Sequence, residues 1–320
     1  MSQRPARPAA PLGRAPSLAA RPAARPRPAL SWSDGAALLA QAAWASSFPI
    51  LKVLVATIPP LPLFFVRGSI AATLTLALLA LSGRWWRPSR AQLGRLALAA
   101  FVSLSLNWVG FSFGLARTTA AHAGLLYSLT PLVVFGLSHL LGQERVGRLD
   151  ALGLALGVLG VALIVAAPTR APAAAGGPSL EGDLLLLGAT VCWGVGTLLS
   201  APVVRRAGPL PTTAWMTAFG ALGLAPPALP TLLALDPGVW SLQAVAGMAY
   251  TGSAGWALGA ALWYGAMRHL GAARVSIYAN MESVFVVIFA AAFLGEAVEW
   301  TAVLGGAMVI AGVLLTRRAG

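Results

Sequence analysis

Any chemistry in this chain must be arranged around Glu282. The residue stands inside the apolar run Val275–Glu296, VSIYANMESVFVVIFAAAFLGE. It lies about ten residues into a helix-length span. At about 1.5 Å of rise per residue, its carboxyl is about 15 Å deep in a hydrocarbon layer about 30 Å thick. A charge at that depth costs at least ~2.5–3.5 kcal/mol, so the group must face a polar cavity or hold a proton. Taking and releasing a proton, or binding an ammonium group, is the chemistry such an acid offers. Tyr278 precedes it by one turn on nearly the same face, while Asn280 and Ser283 share an adjacent face with Ser276. This run therefore has one polar side.

Other polar residues interrupt the apolar runs more sparsely. Lys52 and Arg67 flank the connection between the first two runs. Long basic side chains there reach the interface, or one of them pairs with an acid or a substrate carboxylate. Asn107 and Tyr127 either contact a substrate or bond a neighbouring helix. Trp44, Trp193, Trp256 and Trp263 are large enough to wall a cavity or to fill helix contacts.

Composition dictates the elements that hold these residues. Of 320 residues, 58% are hydrophobic and 10% charged, against about 25% charged in a soluble domain. Mean hydropathy is +0.78. Too little polar surface exists to face water, so the fold class is an all-α polytopic membrane protein. Ten transmembrane helices are expected, at 34–57, 61–82, 92–115, 118–141, 148–167, 182–203, 211–234, 241–265, 272–294 and 298–316. Each is long enough to span, and a lone span must satisfy its own backbone hydrogen bonds in lipid, which selects helix. Residues 1–30 carry six arginines among Pro and Ala, which predicts a disordered basic tail without a signal-peptide core. The Pro-, Ala- and Gly-rich stretch 168–180 is the expected linker between halves 31–167 and 181–317.

Charge placement orients the spans. With both termini cytoplasmic, 18 of the 22 Lys and Arg residues fall on the cytoplasmic side and only Arg117 and Arg170 on the other. That bias follows the positive-inside rule. It also accounts for the net charge of +13 without a nucleic-acid partner. The lone Cys192 excludes an internal disulfide, and three His with one Cys argue against a metal site. No phosphate loop, dinucleotide fingerprint, HExxH or GxSxG pattern occurs, so neither an enzyme nor a cofactor is expected.

The chain repeats itself. Displacing the first half by 152 positions puts Glu144 on Glu296, Gly153 on Gly305, Gly160 on Gly312 and Pro131 on Ser283. Near the start of each half, Asp34 matches Asp183 and Trp44 matches Trp193 at an offset of 149. Five spans per half would insert the second half upside down relative to the first. Such inverted repeats let two units rock about a midplane site.

These residues resemble a known family. Trp44-Ala-Ser-Ser-Phe48, Lys52, Pro59-Pro60 and Arg67 are similar to the opening pattern of EamA-type members of the drug/metabolite transporter superfamily. Thr130-Pro131…Glu144…Gly153…Gly160 and Met281-Glu282…Gly295-Glu296…Gly305…Gly312 are similar to its unit ends. The resemblance implies a secondary active transporter of the bacterial inner membrane, exporting amino acids, metabolites or drugs without ATP. Its partners would be a small-molecule substrate, membrane lipid and protons as coupling ion. The family often has a proline after the acid of the second unit; Ser283 stands there, so the ninth span is expected to run straighter. The alternative is a channel or facilitator without ion coupling, which a charged ring or filter sequence would mark. Glycine faces on spans 5 and 10 serve close packing within the fold, or a homodimer surface. Reporter fusions test the orientation: a cytoplasm-active reporter should work at both termini and fail in the loops containing Arg117 and Asp236.

Overall fold

The computed structural model describes residues 31–83, 86–117, 120–127, 129–141, 147–166, 179–294 and 300–318. The basic tail, residues 168–178 of the expected linker, Glu144 and Glu296 lie outside the described residues. Among the described residues every regular element is helical. Helix α1 (Trp32–Leu54) opens with a capping box between Ser31 and Asp34. Helix α2 (Pro60–Leu81) starts with proline at its first turn, where a missing N–H costs nothing. Helix α3 (Arg90–Ala100) runs through a π segment at Phe101–Leu106 into α4 (Asn107–Ala116). The fourth expected run is split into α5 (Ala120–Tyr127) and α6 (Thr130–Leu140). Pro131 in the first turn of α6 cannot donate to a continuous ladder.

Helix α7 (Arg148–Ala166) completes the first half. The second holds α8 (Leu180–Ala207) and α9 (Pro209–Leu233), then α10 (Leu242–Tyr250), a π segment at Thr251–Leu258 and α11 (Gly259–Leu270). The last three are α12 (Ala272–Ser276), α13 (Ala279–Leu294) and α14 (Trp300–Arg318). Gly208 and Gly271, at φ 88° and 85°, turn α8 into α9 and α11 into α12; a side chain would strain both turns. Among the described residues, six helical stretches are by themselves long and apolar enough to cross a membrane: 32–54, 60–81, 90–116, 180–207, 209–233 and 272–294.

The ninth run is one helical stretch over 272–294 with a tight turn inside it. N–H groups of Ile277, Tyr278, Asn280 and Met281 bond carbonyls three residues back, at 2.9–3.3 Å. This tight turn separates α12 from α13 one turn before Glu282.

Helices pack across the halves. Helix α7 lies along α14, α2 along α9, α4 against α8, and α1 against α11 and α13. Small residues set these distances. A Cβ on Gly160 would come to 2.5 Å from the Gly305 carbonyl oxygen, and one on Gly312 to 2.5 Å from that of Gly153. Both glycine faces are thus used within the chain. Gly196 accommodates the Ser103 side chain, and Gly255 that of Ser47. Because backbone rather than a flexible side chain blocks the space, Gly160→Leu and Gly312→Leu should each destabilise by about 1–3 kcal/mol. Thermal unfolding in detergent checks this, with Gly188→Ala, which meets no atom within 4 Å, expected to be neutral or slightly stabilising.

Candidate functional site

The cavity is built on one stripe of α1. Trp44, Ser47, Phe48 and Leu51 recur at helical spacing and face the same space. Helix α2 adds Phe64 and Arg67, one turn apart, and α4 adds Asn107, Trp108 and Phe111. Tyr127 reaches in from the end of α5 and Trp193 from the middle of α8. Trp256 enters from the second π segment and Glu282 from the first turn of α13. The cavity volume is about 50 Å³. That admits a little water but is far below the ~300 Å³ or more of an open ligand pocket.

Aromatic rings form the wall. Trp44 stacks on Trp256 at 5.8 Å and meets Trp193 edge-on at 5.4 Å. Trp108 meets Trp256 edge-on at 5.1 Å, and Phe111 meets Tyr127 at 5.1 Å. Each such pair adds about 0.5–1.5 kcal/mol to the burial of its rings. The indole N–H groups of Trp44 and Trp108 are buried without a hydrogen-bond partner. Trp263 packs behind this wall, fully buried and 5.4 Å from Trp44.

A cation and an acid face the chamber. Arg67 is 5% exposed, so its side chain does not reach the interface. Its Nε donates to the Thr251 carbonyl at 3.2 Å, and its guanidinium lies 5.3 Å from the ring centres of both Phe64 and Trp256. Thr251 opens the π segment, where the hydrogen-bond ladder changes register and releases a carbonyl to an outside donor. Glu282 is also 5% exposed and makes no hydrogen bond or ion pair among the described residues. Asn107 Nδ2 donates to the Tyr127 hydroxyl oxygen at 2.5 Å and to the Ala189 carbonyl at 2.7 Å, tying α4, α5 and α8 together.

Six of the ten candidate residues thus meet in one chamber: Trp44, Arg67, Asn107, Tyr127, Trp193 and Glu282. The other four lie elsewhere. Tyr278 donates to Asp34, which also accepts from Ser31 at the start of α1. Ser283 Oγ donates to the Gly124 carbonyl at 2.9 Å. The Asn280 carboxamide is buried against Gly157 without a partner. Helical geometry explains this, since Ser283 and Asn280 point about 100° and 200° away from Glu282. Lys52 Nζ donates to the Leu115 carbonyl at 3.1 Å in the last turn of α4, where a cation complements free carbonyls. Phe64, Trp108 and Phe111 were not among the candidates, because an apolar side chain has no contrast in an apolar run. Their spacing from Arg67 and Asn107 is the signal that marks them. Among the described residues no cluster of His, Cys, Asp or Glu could hold a metal ion.

An all-helical chain with several helices long and apolar enough to cross a membrane and an aromatic-lined chamber is a multi-pass membrane protein equipped to hold a small molecule. The chain belongs to the EamA-like transporter family, which it matches twice, over residues 31–166 and 180–318. An "Uncharacterized transporter" of Archaeoglobus fulgidus is 27% identical over 273 residues, covering 85% of this chain and 93% of its own. A "Probable terminal-alkyne amino-acid exporter" of Streptantibioticus cattleyicolor is 28% identical over 303 residues, covering 90% and 94%. One solved protein structure, 19% identical, superposes with a TM-score of 0.67 over 89% of this chain and 98% of its own, which extends the likeness to the fold.

The Asn107–Tyr127 bond can be measured directly. Asn107→Ala and Tyr127→Phe should each destabilise, and the double variant should lose about 0.5–1.5 kcal/mol less than the sum. Equilibrium unfolding in bicelles or mild detergent provides the cycle.

Proposed function

We propose that this protein is a secondary active transporter that exports small organic solutes, among them metabolites, amino acids or drugs, across the cell inner membrane by alternating access. The observation that carries the reading is the chamber itself. It brings Arg67 of one half and Glu282 of the other to one aromatic-lined chamber. Its lining carries one basic and one acidic residue rather than the ring of like charges that marks a channel filter.

Several features support ten crossings in two inverted units, residues 31–167 and 181–317 joined by 168–180. The family match occurs once per half. The contact of α4 with α8 and that of α1 with α11 exchange when the halves are exchanged, while α7 with α14 and α2 with α9 map onto themselves. The Gly160–Gly305 and Gly312–Gly153 approaches are each other's images at the 152-residue offset. So are the two π segments, Phe101–Leu106 and Thr251–Leu258, to within a few residues. Cytoplasmic termini follow from the arginine distribution.

Glu282 is the coupling group in this reading. Its carboxyl holds a proton when the chamber is empty and exchanges it for a cationic group of the substrate, so inward proton flow drives export. Proteoliposome uptake and counterflow of radiolabelled amino acids and metabolites, with and without an imposed proton gradient, test the carrier. Glu282→Gln should insert normally and lose either transport or its pH dependence. Full, pH-responsive transport by that variant would remove Glu282 from the mechanism.

A further inference from the structure

Two sets of contacts tie the halves together at opposite ends of the chamber-lining helices. At one end Arg117, just past α4, places its Nε 3.1 Å from Glu181 Oε1 in the first turn of α8. Ser179 Oγ donates to the Arg117 carbonyl at 3.2 Å, and a Cβ on Gly182 would lie 3.0 Å from that of Arg117. The last turn of α1 reaches this end too, through Lys52 and the Leu115 carbonyl. The first turn of α1 lies about 30 Å away along its axis. There Trp32 meets His269, in the last turn of α11, edge-on at 6.4 Å, and Tyr278 donates to Asp34. The chamber lies between. Trp44 is about 18 Å along α1 from Trp32, whereas Phe111 is only about 9 Å along its helix from Arg117.

These two ends are images of each other. At the 149-residue offset Trp32 and Ser33 map onto Glu181 and Gly182, and at 152 Arg117 maps onto His269. Trp32–His269 is thus the Glu181–Arg117 contact with the halves exchanged and its chemistry changed from an ion pair to two rings. Asp34 and Tyr278 map onto Asp183 and Leu126. Leucine has no hydroxyl, so that hydrogen bond has no image. We propose that Arg117–Glu181 and Trp32–His269 are the two gates of the chamber, and that they are unequal. The Arg117 gate is the weak one: its side chains are 38% and 69% exposed, and an ion pair facing water contributes little and is screened by salt. The opposite gate is reinforced by Asp34 and Tyr278, which are both buried, so breaking their bond strands a polar group away from water. The assignment rests on the transport reading and deepens it, by naming the contacts that open in turn and the one that yields first.

Disulfide locks on the full chain, with Cys192→Ser, test this. The pair Arg117→Cys with Gly182→Cys locks one end, and its image, Ser33→Cys with His269→Cys, locks the other. Access to the chamber is read in lipid nanodiscs, where both faces are open, from the rate at which 2-sulfonatoethyl methanethiosulfonate labels Ser47→Cys. Either lock alone should leave labelling through the free end, and both together should stop it. With the Ser33 end locked, Glu181→Gln or salt at about 1 M should speed labelling about twofold to fivefold. With the Arg117 end locked, salt should change nothing, while Tyr278→Phe should speed labelling about 2–10-fold. In proteoliposomes, oxidation of either pair should abolish counterflow of the radiolabelled amino acids and metabolites, and a reductant should restore it. Failure of either disulfide to form overturns the assignment, as does labelling that continues with both ends locked. Counterflow that survives a complete lock overturns it too, and an equal salt effect at both ends overturns the inequality. No counterflow before oxidation, with labelling still governed by the locks, would sink the carrier reading and leave the gates.

Discussion

A guanidinium and a carboxyl share one low-dielectric chamber without touching, and the surrounding structure is arranged to permit it. An unpaired ion removed from water costs several kcal/mol even after the protein relaxes. Arg67 recovers part of that from two ring faces and a backbone carbonyl; a desolvated cation–π contact contributes up to about 2 kcal/mol. Trp256 has a double duty, stacking on Trp44 and lying against the guanidinium. The wall therefore fixes the charge as much as it encloses the cavity. Moving Trp256 would release Arg67, and moving Arg67 would leave the Thr251 carbonyl without its donor.

The same wall is where the halves meet. Gly196 of α8 receives Ser103, and Gly255 of the second π segment receives Ser47. At the repeat offsets these are one contact seen twice, with the glycine in the second half both times and on opposite sides of the interface. On the proposed two-unit reading, such paired contacts are where the interface would repack between two arrangements. The α7–α14 pair is different in kind. Its glycines meet backbone, so that interface has little freedom to slide. On the proposed two-unit reading it is the scaffold against which the chamber-lining helices move.

Much of this was legible in the sequence because lipid simplifies the problem. Apolar runs and arginine placement give the helices, and the matched glycines reveal the repeated unit before any coordinates. Glu282, Arg67, Asn107 and Tyr127 stand out because a polar residue in an apolar span needs a reason. What the sequence hides is direction. Arg67 reads as an interfacial cation, since nothing local announces that a π segment will offer it a carbonyl. Tyr278 reads as a neighbour of Glu282 until the tight turn before it sends its hydroxyl to Asp34. Phe64 and Phe111 carry no contrast of their own, because an aromatic residue beside a cavity looks the same as one beside lipid; only their spacing from Arg67 and Asn107 marks them.

That turn also sets where the acid stands. By separating α12 from α13 it creates a helix start in mid-chamber, and Glu282 falls in the first turn of the new helix. Proline achieves such breaks elsewhere in the chain, as before α6, but it is absent here. The break at Ile277–Tyr278 rests instead on hydrogen bonds shortened to three residues and on the Tyr278–Asp34 contact that pins its inner side to α1. A break held by reversible hydrogen bonds can open and close more readily than one imposed by a proline ring. The environment of the carboxyl is therefore tied to how α1 sits against the ninth span.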